Sequence, residues 1–574
     1  PAVAAPSEAA QRAQAAAASR AAAAAEVFQL ARQQNFAVVL ARLEEHPQLW
    51  TFADEEGHTL AHWAALVGNT DFVKRYLERG CLPDPEAANK QTPLMWSVLR
   101  GHVHTSRALL DARASLQHHD SLGATPLMLA VQHKSYKSLI ILMHRGKDNK
   151  DSMLRDSDNN GCTPAHWAAY KGDLTSLRLL DYFNADLLAV DNAGMLPLHR
   201  AVSASEGAVI EFLMEKRSDP TQHNKDGKSC VDIAEEQHCV HIHGLLKRLM
   251  AKSGKGGEGG AQQDVEKGSA GEPAKKQDDL FKSITKDKAA QKAFPVFWVV
   301  CVALSVFEYL MELRATSYAV APNASLLFEL GVPLSLALFF YVALTDPGRL
   351  PPRLKGHSGV EEVMRALDGG TAEGQEEPDV GRLCTTTWVL KDLRTKYCAQ
   401  TGACIEEFDH YCVWLNTSIG KKNHRQFFAL CLVEWTTQLI HIYVCWSMAH
   451  SLVPYSGFFS WIFAVFTMYP LLAFLLIVQC LTVPWILMLV VHQSRLVVTN
   501  LTTNEMMNMH RYEHFWVSAM VEPGRVQRMF RNPFHKGNMF TNCLDFWWYR
   551  QRSLIANKGG ATCNAPGCRH QHHN

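Results

Sequence analysis

The sequence has almost no net charge, few cysteines and no recognisable secretion signal. Its 574 residues include 57 Lys+Arg and 56 Asp+Glu, which gives a formal charge of +1. This balance is not typical of proteins that bind nucleic acid by bulk attraction, so no nucleic-acid partner is predicted. The 15 scattered cysteines exclude a disulfide-stapled scaffold and favour reduced thiols in the cytosol. The Ala-rich residues 1–25 lack a basic stretch followed by an apolar one, and they are predicted to be disordered.

A motif built on Thr, Pro, Leu and His recurs through the first half of the chain. Aligned at the Thr position, the copies begin at residues 59, 92, 125, 163, 196 and 229, with spacings of 33, 33, 38, 33 and 33. This period resembles ankyrin repeats, which are helix pairs that stack into a solenoid. The insertion before the fourth copy is predicted to be a loop. We expect His62, His166 and His199 to hold turns by hydrogen bonds, and Trp96 either to pack or to face a peptide-binding groove.

The second half contains long apolar runs. Residues 251–292 are rich in Gly, Lys, Glu, Gln and Asp, which predicts a disordered linker. Apolar runs of 18 or more residues predict transmembrane helices, and four follow: 294–311, 326–344, 427–453 and 458–491. The last run exceeds one span, so we expect an interfacial lead-in containing Trp461 before a tilted helix.

Lys and Arg residues flank these runs on alternate sides. The positive-inside rule therefore places the N-terminus, the 346–426 segment and the C-terminus in the cytosol. The predicted fold is all-α: an ankyrin-repeat α-solenoid, then a polytopic helical membrane domain with a small irregular cysteine-rich cytosolic domain. Its predicted parts are a disordered N-terminus (1–25), ankyrin repeats (26–250), a linker (251–292), spans one and two (293–345), the cysteine-rich domain (346–426), spans three and four (427–493) and a cytosolic C-terminal region (494–574).

Four motifs lie in order around the predicted spans. The cysteine-rich stretch runs through Cys384, Cys398 and Cys404 to Asp409-His410-Tyr411-Cys412. The other motifs are Asp346-Pro347-Gly348, Thr502-Thr503-Asn504-Glu505, and Asn532-Pro533-Phe534 followed by Asn542. Together they resemble the DHHC protein S-acyltransferases (palmitoyltransferases), here with a DHYC signature and with that family's DPG, TTxE and NPF motifs. The repeats in front resemble the family's ankyrin-bearing subgroup, which usually has six spans rather than the four predicted here.

The resemblance implies an enzyme that moves a fatty acyl group, palmitoyl above all, from acyl-CoA to protein cysteines. Cys412 would attack the thioester, His410 would act as base, and Asp409 would orient His410 as in a catalytic triad. Because residues two apart do not face each other on a helix, we expect a loop here, with Trp414 and Asn416 helping to hold it. The predicted binding residues are Lys421, Lys422, Arg425, Trp414 and Trp96. The three cations are candidates for CoA phosphates and equally for an ordinary membrane flank.

The family's two zinc sites each use three cysteines and one histidine. By spacing, the first set falls on Cys384, Thr387, Tyr397 and Cys404, and the second on Cys398, Thr401, Tyr411 and Ser418. Hydroxyl side chains are poor zinc ligands, and a structural zinc needs four good donors. The sequence therefore predicts no family-type zinc, and it predicts that hydroxyls at the lost positions form hydrogen bonds where the metal would have bridged.

Two other function classes stay open. If the altered cysteine-rich domain has decayed, the chain is an ankyrin-repeat membrane adaptor or scaffold. The acidic residues inside the apolar runs, Glu308, Glu329 and Glu434, would suit a transporter, although no inverted repeat accompanies them. Retention of Asp409, His410 and Cys412 together favours the enzyme.

The resemblance also implies partners and a location. The predicted partners are acyl-CoA, membrane lipid and substrate proteins with membrane-proximal cysteines, which the repeats would recruit. The predicted location is a multi-pass integral membrane protein of the endomembrane system, the Golgi above all. Donors near the C-terminus could bind a metal, although a disordered end is favoured; they are Cys563, Cys568, His570, His572 and His573.

Overall fold

A computed structural model of the chain describes residues 8–252, 288–369, 379–455, 457–522, 525–549 and 552. It is mostly helical with a few short strands, which confirms the predicted fold class. Most of the predicted linker and the whole Cys/His tail lie outside the described residues. The chain forms two units: Pro1–Asp264 with Leu354–Leu390, and Val265–Arg353 with Lys391–Asn574.

The first unit is a solenoid of helix pairs. It begins with α1 (Glu8–Arg32) and α2 (Phe36–Glu45). Helix α1 covers most of the stretch that the sequence predicts to be disordered, because alanine has the highest helix propensity of all residues. The repeats supply α3 (Leu60–Val67), α4 (Thr70–Glu78), α5 (Pro93–Arg100), α6 (Val103–Asp111), α7 (Pro126–Gln132), α8 (Tyr136–Arg145), α9 (Lys150–Arg155), α10 (Pro164–Tyr170), α11 (Leu174–Tyr182), α12 (Pro197–Ser203), α13 (Gly207–Glu215), α14 (Cys230–Glu236) and α15 (Val240–Lys252). The short helix α9 lies in the insertion that was predicted to be a loop.

The repeated histidines connect one repeat to the next. The backbone N–H of Thr59 donates to His62 Nδ1 at 3.0 Å, and His62 Nε2 lies 2.9 Å from the Gln91 carbonyl oxygen of the following repeat. His166 and His199 make the same pair of contacts. The predicted scaffold role of these histidines is therefore confirmed.

Part of the predicted cysteine-rich domain packs with the repeats. Helix α19 (Gly359–Gly369) buries one apolar face in the core of the solenoid unit. Arg107 Nη1 donates to the Leu367 carbonyl oxygen at 3.1 Å, and Arg145 Nε lies 2.6 Å from Asp368 Oδ1. The described residues between 354 and 390 are therefore part of the first unit, although the sequence groups them with residues 346–426.

The second unit contains the apolar helices. They are α16 (Lys288–Glu308), α17 (Arg314–Val320), α18 (Pro322–Leu344), α20 (His424–Leu452), α21 (Phe458–Met468) and α22 (Pro470–Thr499), with short α23 (Thr503–Asn508) and α24 (Met539–Leu544) behind them. Within the described residues, four stretches are long and apolar enough to cross a membrane: Lys292–Met311, Pro322–Leu344, His424–Leu452 and Leu472–Thr499. The short helix α21 precedes the last of them, where the sequence predicts a lead-in.

Seven short strands are described in this unit, outside its long apolar helices. Strands β1 (Arg349–Leu350), β2 (Lys396–Cys398) and β3 (Ala403–Ile405) form a sheet in the order β1-β3-β2. Strands β4 (His410–Cys412) and β5 (Thr417–Ile419) form an antiparallel hairpin, and β6 (Trp516–Glu522) pairs with β7 (Arg525–Phe530). The β4–β5 hairpin carries the candidate site.

Candidate active site

The proposed nucleophile and its base lie on one strand of the β4–β5 hairpin. His410 pairs with Ile419 and Cys412 pairs with Thr417. Because side chains alternate along a strand, residues two apart lie on the same face. The His410 and Cys412 side chains are therefore neighbours. The predicted loop is wrong, because a three-residue strand brings the two side chains together.

The turn of the hairpin is closed by Asn416. Its backbone N–H donates to the Val413 carbonyl oxygen at 3.2 Å, and its φ of +49° lies in the left-handed region that asparagine tolerates. The Tyr411 hydroxyl donates to Asn416 Oδ1 at 2.6 Å. Trp414 is 52% exposed, and its ring centroid lies 5.2 Å from that of Phe294 on α16. Asn416 thus holds the turn, while Trp414 contacts the start of the first apolar helix.

The Asp409 carboxylate lies against the His410 ring. Its side chain is buried, and its Oδ2 lies 2.7 Å from His410 Nδ1. The Thr503 backbone N–H donates to Asp409 Oδ1 at 2.7 Å, and the Thr503 hydroxyl donates to Oδ2 at 2.8 Å. Because Nδ1 of His410 is engaged by Asp409, Nε2 is left for Cys412.

The contacts around Asp409 and His410 set their charges. Burial opposes a charged Asp409, but hydrogen bonds from the His410 side chain and the Thr503 amide hold the pKa of Asp409 well below its usual value. Burial likewise opposes a charged His410, but hydrogen bonds to Asp409 and Cys412 raise the pKa of His410 to about 10. At neutral pH the site therefore holds a carboxylate and an imidazolium, and an imidazolium beside a cysteine promotes thiolate chemistry.

The DPG motif follows directly after α18, at the start of the segment that leads to α20. The backbone N–H groups of Gly348 and Arg349 donate to Asp346 Oδ1 at 3.3 and 3.0 Å. Gly348 has a φ of +103°, a conformation that favours glycine. Its carbonyl oxygen accepts the Glu406 N–H at 3.0 Å. The motif Asp346-Pro347-Gly348 is thus a tight turn attached to the segment that precedes the hairpin.

The predicted CoA-binding cations lie at the surface near this turn. Lys421 Nζ is 3.1 Å from Glu406 Oε1, and Lys422 Nζ is 2.7 Å from Asp346 Oδ2. The Asp346 carboxylate raises the pKa of Lys422. Arg425 is half-buried on the first turn of α20. The two lysines are therefore exposed but already paired with local carboxylates.

The TTxE motif connects Asp409 to a buried ion pair. The Glu505 N–H donates to Thr502 Oγ1 at 3.2 Å, and the Thr502 N–H donates to Glu505 Oε2 at 2.9 Å, which forms a reciprocal capping box at the start of α23. Both oxygens of Glu505 accept from Arg394, through Nε and Nη2, at 2.7 Å each. Thr503, between them, is the residue that donates to Asp409.

The C-terminal motif fastens onto the end of α22. The side-chain amides of Asn532 and Asn542 donate to the carbonyl oxygens of Thr499 and Val498, each at 2.7 Å. Phe534 is fully buried. These supporting residues position the TTxE segment rather than contact Cys412.

Five of the eight positions that would hold zinc carry hydroxyl side chains. The Ser418 hydroxyl lies 3.4 Å from Cys398 Sγ and 3.5 Å from Thr401 Oγ1, and the Cys398 thiol donates to Gln400 Oε1 at 3.2 Å. Across the part of the chain that is described, no group of three or more His, Cys, Asp or Glu side chains could hold a metal ion. Buried Cys384 and Cys404 remain from the first set, one in each unit. The residues present do not fit a family-type zinc.

Trp96 lies in the first unit, on α5. It is partly exposed, and its Nε1 donates to Gln91 Oε1 at 2.9 Å. Its ring centroid is 5.5 Å from that of Trp63 and 4.8 Å from that of His58. Trp96 therefore belongs to an aromatic cluster that packs on one side and remains accessible on the other.

Three residues near Asp409 belong to none of the motifs. Gln493 Nε2 donates to Asp409 Oδ2 at 3.3 Å. His424 contacts Gln493, and Arg552 contacts His424. The only sequence signal for them is polarity: His424 and Gln493 are polar residues at the ends of apolar helices.

Comparisons with known proteins agree with this architecture. The family model for DHHC palmitoyltransferases matches residues 377–510, and that for ankyrin repeats matches residues 61–153 and 139–224. The chain is 27% identical to palmitoyltransferase ZDHHC17 of Danio rerio over 559 residues, which cover 88% of this chain and 84% of the relative. It is 25% identical to ZDHHC17 of Homo sapiens over 563 residues, with 87% and 82% covered. It is 26% identical to palmitoyltransferase AKR1 of Lachancea kluyveri over 433 residues, with 66% and 57% covered. The chain therefore combines ankyrin repeats with a DHHC palmitoyltransferase domain, which is a protein S-acyltransferase, and it is similar to known palmitoyltransferases along most of its length.

Proposed function

We propose that this enzyme transfers a fatty acyl group, palmitoyl above all, from acyl-CoA to protein cysteines through a thioester on Cys412. The observation that supports this route is the hairpin that places His410 beside Cys412 while Asp409 engages His410 Nδ1 at 2.7 Å. This arrangement supplies a nucleophile, a proton-transfer group and a carboxylate that orients it.

The contacts suggest how each half-reaction proceeds. In the resting ion pair the proton of Cys412 already lies on His410, and the Cys412 thiolate attacks the acyl carbonyl carbon. The bond from that carbon to the CoA sulfur then breaks. The proton on His410 Nε2 moves to the departing CoA sulfur, which leaves acyl-Cys412 and neutral His410. A substrate thiol then gives its proton to His410 and attacks the same carbonyl carbon. The bond from that carbon to the Cys412 sulfur breaks, which restores the Cys412 thiolate beside the His410 imidazolium. Both steps exchange one thioester for another.

Acylation of the purified full-length protein tests this proposal. A clickable palmitoyl-CoA analogue should label the wild-type chain, and hydroxylamine should remove the label because the bond is a thioester. Cys412→Ser should abolish labelling, while Cys480→Ser, which alters an exposed thiol on α22, should retain it. Label that persists in Cys412→Ser, or a wild-type chain that takes no label, would overturn the proposal.

The remaining parts of the function concern partners and orientation. We propose that the repeats recruit substrate proteins with membrane-proximal cysteines, with accessible Trp96 as one contact. Lys421, Lys422, Arg425 and Trp414 are proposed contacts for acyl-CoA near the hairpin. The Lys and Arg residues that flank the apolar helices support a cytosolic N-terminus, hairpin and C-terminus. The family resemblance supports an endomembrane location, the Golgi included.

We further propose that hydrogen bonds replace zinc in the cysteine-rich domain. Prolonged treatment with a zinc chelator should leave labelling of Cys412 unchanged, because Ser418, Thr401 and Cys398 already contact one another. The triple variant Thr401→Cys, Tyr411→His and Ser418→Cys restores a full second ligand set, and it should bind zinc in metal analysis. Loss of labelling when the unaltered chain is treated with chelator would contradict this prediction. So would zinc that copurifies with the unaltered chain in the same amount as with the triple variant.

A further inference from the structure

A line of buried polar side chains extends from Asp409 to Arg552. Gln493 Nε2 lies 3.3 Å from Asp409 Oδ2, and Gln493 Oε1 lies 2.8 Å from His424 Nε2. His424 Nδ1 lies 2.8 Å from Arg552 Nη1. All four side chains are buried, with exposures of 1%, 0%, 3% and 4% along the line. We call Gln493, His424 and Arg552 the support line.

Elementary chemistry fixes the direction of every hydrogen bond in the support line. A guanidinium has donors and no acceptor, so His424 Nδ1 must accept from Arg552. His424 is therefore neutral, with its proton on Nε2, and that N–H donates to Gln493 Oε1. The Gln493 amide group is then oriented with its nitrogen toward Asp409, to which it donates. One charged residue at the end of the line thus determines the tautomer of His424 and the orientation of Gln493.

Arg552 is itself held in place. It donates to Asn500 Oδ1 at 3.2 Å and to the Leu501 carbonyl oxygen. Burial and the nearby Arg394 lower the pKa of Arg552 to about 10, which leaves it protonated at neutral pH. The fixed end of the support line is therefore a permanent cation in a buried site.

The support line completes the hydrogen bonding of the Asp409 carboxylate. Thr503 supplies two donors and His410 supplies one. The Gln493 N–H is the fourth, and it approaches the same oxygen, Oδ2, that engages His410. A carboxylate restrained from several directions cannot rotate away from the imidazole, and small displacements of catalytic groups cost large factors in rate.

We propose that Gln493, His424 and Arg552 are positioning residues for acyl transfer, which hold Asp409 in the orientation that presents it to His410. This inference rests on the proposed function of Cys412, His410 and Asp409. The support line acts on the site through Asp409, and the variants below leave His424, the neighbour of Arg425, unchanged. They should therefore affect the rate of the chemical step and not the binding of acyl-CoA.

Single-turnover acylation of the full-length protein tests the support line. Gln493→Leu removes the donor to Asp409 and should lower the rate constant by about 10²-fold, with the apparent KM for palmitoyl-CoA unchanged. Gln493→Glu keeps the acceptor for His424 but presents a carboxylate oxygen to Asp409. Because the direction of the line is fixed, Gln493→Glu should be at least as slow as Gln493→Leu, although its shape is closer to that of glutamine.

The other end of the line provides a rescue experiment. Arg552→Met removes the donor to His424 and should slow acylation, whereas Arg552→Lys keeps a cationic donor and should recover part of the rate. Ser494→Ala is the matched control on α22, because the Ser494 hydroxyl donates only to the Val490 carbonyl oxygen of its own helix. It should acylate at the wild-type rate.

Two results would overturn the inference while wild-type labelling leaves the proposed function intact. One is a wild-type rate in both Gln493→Leu and Arg552→Met. The other has two parts: the acylation rate falls in proportion to the thermal unfolding midpoint in every variant, and Arg552→Lys recovers no rate. That pattern would mark a purely structural role. A failure of the wild-type chain to label would instead count against the Cys412 proposal itself.

Discussion

Replacing Asp409 by asparagine should lower the rate of Cys412 acylation by about 10³- to 10⁴-fold, as loss of the orienting carboxylate does in a serine-protease triad. The asparagine amide can donate to His410 Nδ1, which would then place the imidazole proton on Nε2, facing Cys412. In that tautomer His410 cannot accept the thiol proton. The measurement is the single-turnover rate of labelling with palmitoyl-CoA analogue.

The control for this prediction is Glu406→Gln, which alters an acidic side chain paired with Lys421 outside the triad. It should label within a small factor of the wild-type rate. A rate for Asp409→Asn within tenfold of the control would show that the carboxylate does not orient His410 during the reaction.

Removing Glu505 should destabilise the second unit strongly. Arg394 and Glu505 are 4% and 2% exposed, and their two contacts are 2.7 Å each. Breaking a buried ion pair by deleting one partner leaves an uncompensated charge and costs about 3–5 kcal/mol. Glu505→Ala should therefore lower the thermal unfolding midpoint of the detergent-solubilised protein by about 10 °C.

Two further variants sharpen this prediction. Glu513→Gln removes an exposed carboxylate from the same region and should leave the midpoint unchanged. The double variant Arg394→Met with Glu505→Leu removes both charges together and should recover part of the loss, because no buried charge is left unpaired. A midpoint for Glu505→Ala equal to that of Glu513→Gln would mean that the ion pair contributes nothing measurable.

The repeats and the apolar helices were predictable because their sequence signals are periodic. The 33-residue spacing recurs with a capping residue at its start, and each copy of the motif folds locally into the same helix. The apolar runs are long enough that composition alone identifies them. The four helices that are long and apolar enough to cross a membrane consequently overlap the four apolar runs, and the helices of the solenoid follow the repeat spacing.

The geometry of the site was less accessible to sequence reasoning. Strand β4 contains only three residues, too few to show a period of two, so a loop was the natural expectation for His410 and Cys412. The packing of α19 does have a signal in the sequence: Val360, Val363 and Leu367 recur at the spacing of one helix face, and all three are buried.

The support line could not be predicted at all. Its members lie 69 and 128 residues apart along the chain, and no spacing pattern links them. Only folding brings His424, Gln493 and Arg552 to the same side of Asp409. The roles within the TTxE motif were hidden for the same reason, because Thr503 and Glu505 act on Asp409 and Arg394 from about a hundred residues away.

The most direct test of the central claim is to locate the acyl group after a single turnover. Full-length enzyme is mixed with palmitoyl-CoA, part is quenched and digested, and the rest is chased with a cysteine-containing acceptor peptide. Peptide mass spectrometry should find the palmitoyl group on Cys412, and the chase should remove it at the rate at which the acceptor gains it. Palmitoyl groups on other cysteines with Cys412 unmodified, or an acylated Cys412 that does not release its acyl group to the acceptor, would contradict the account.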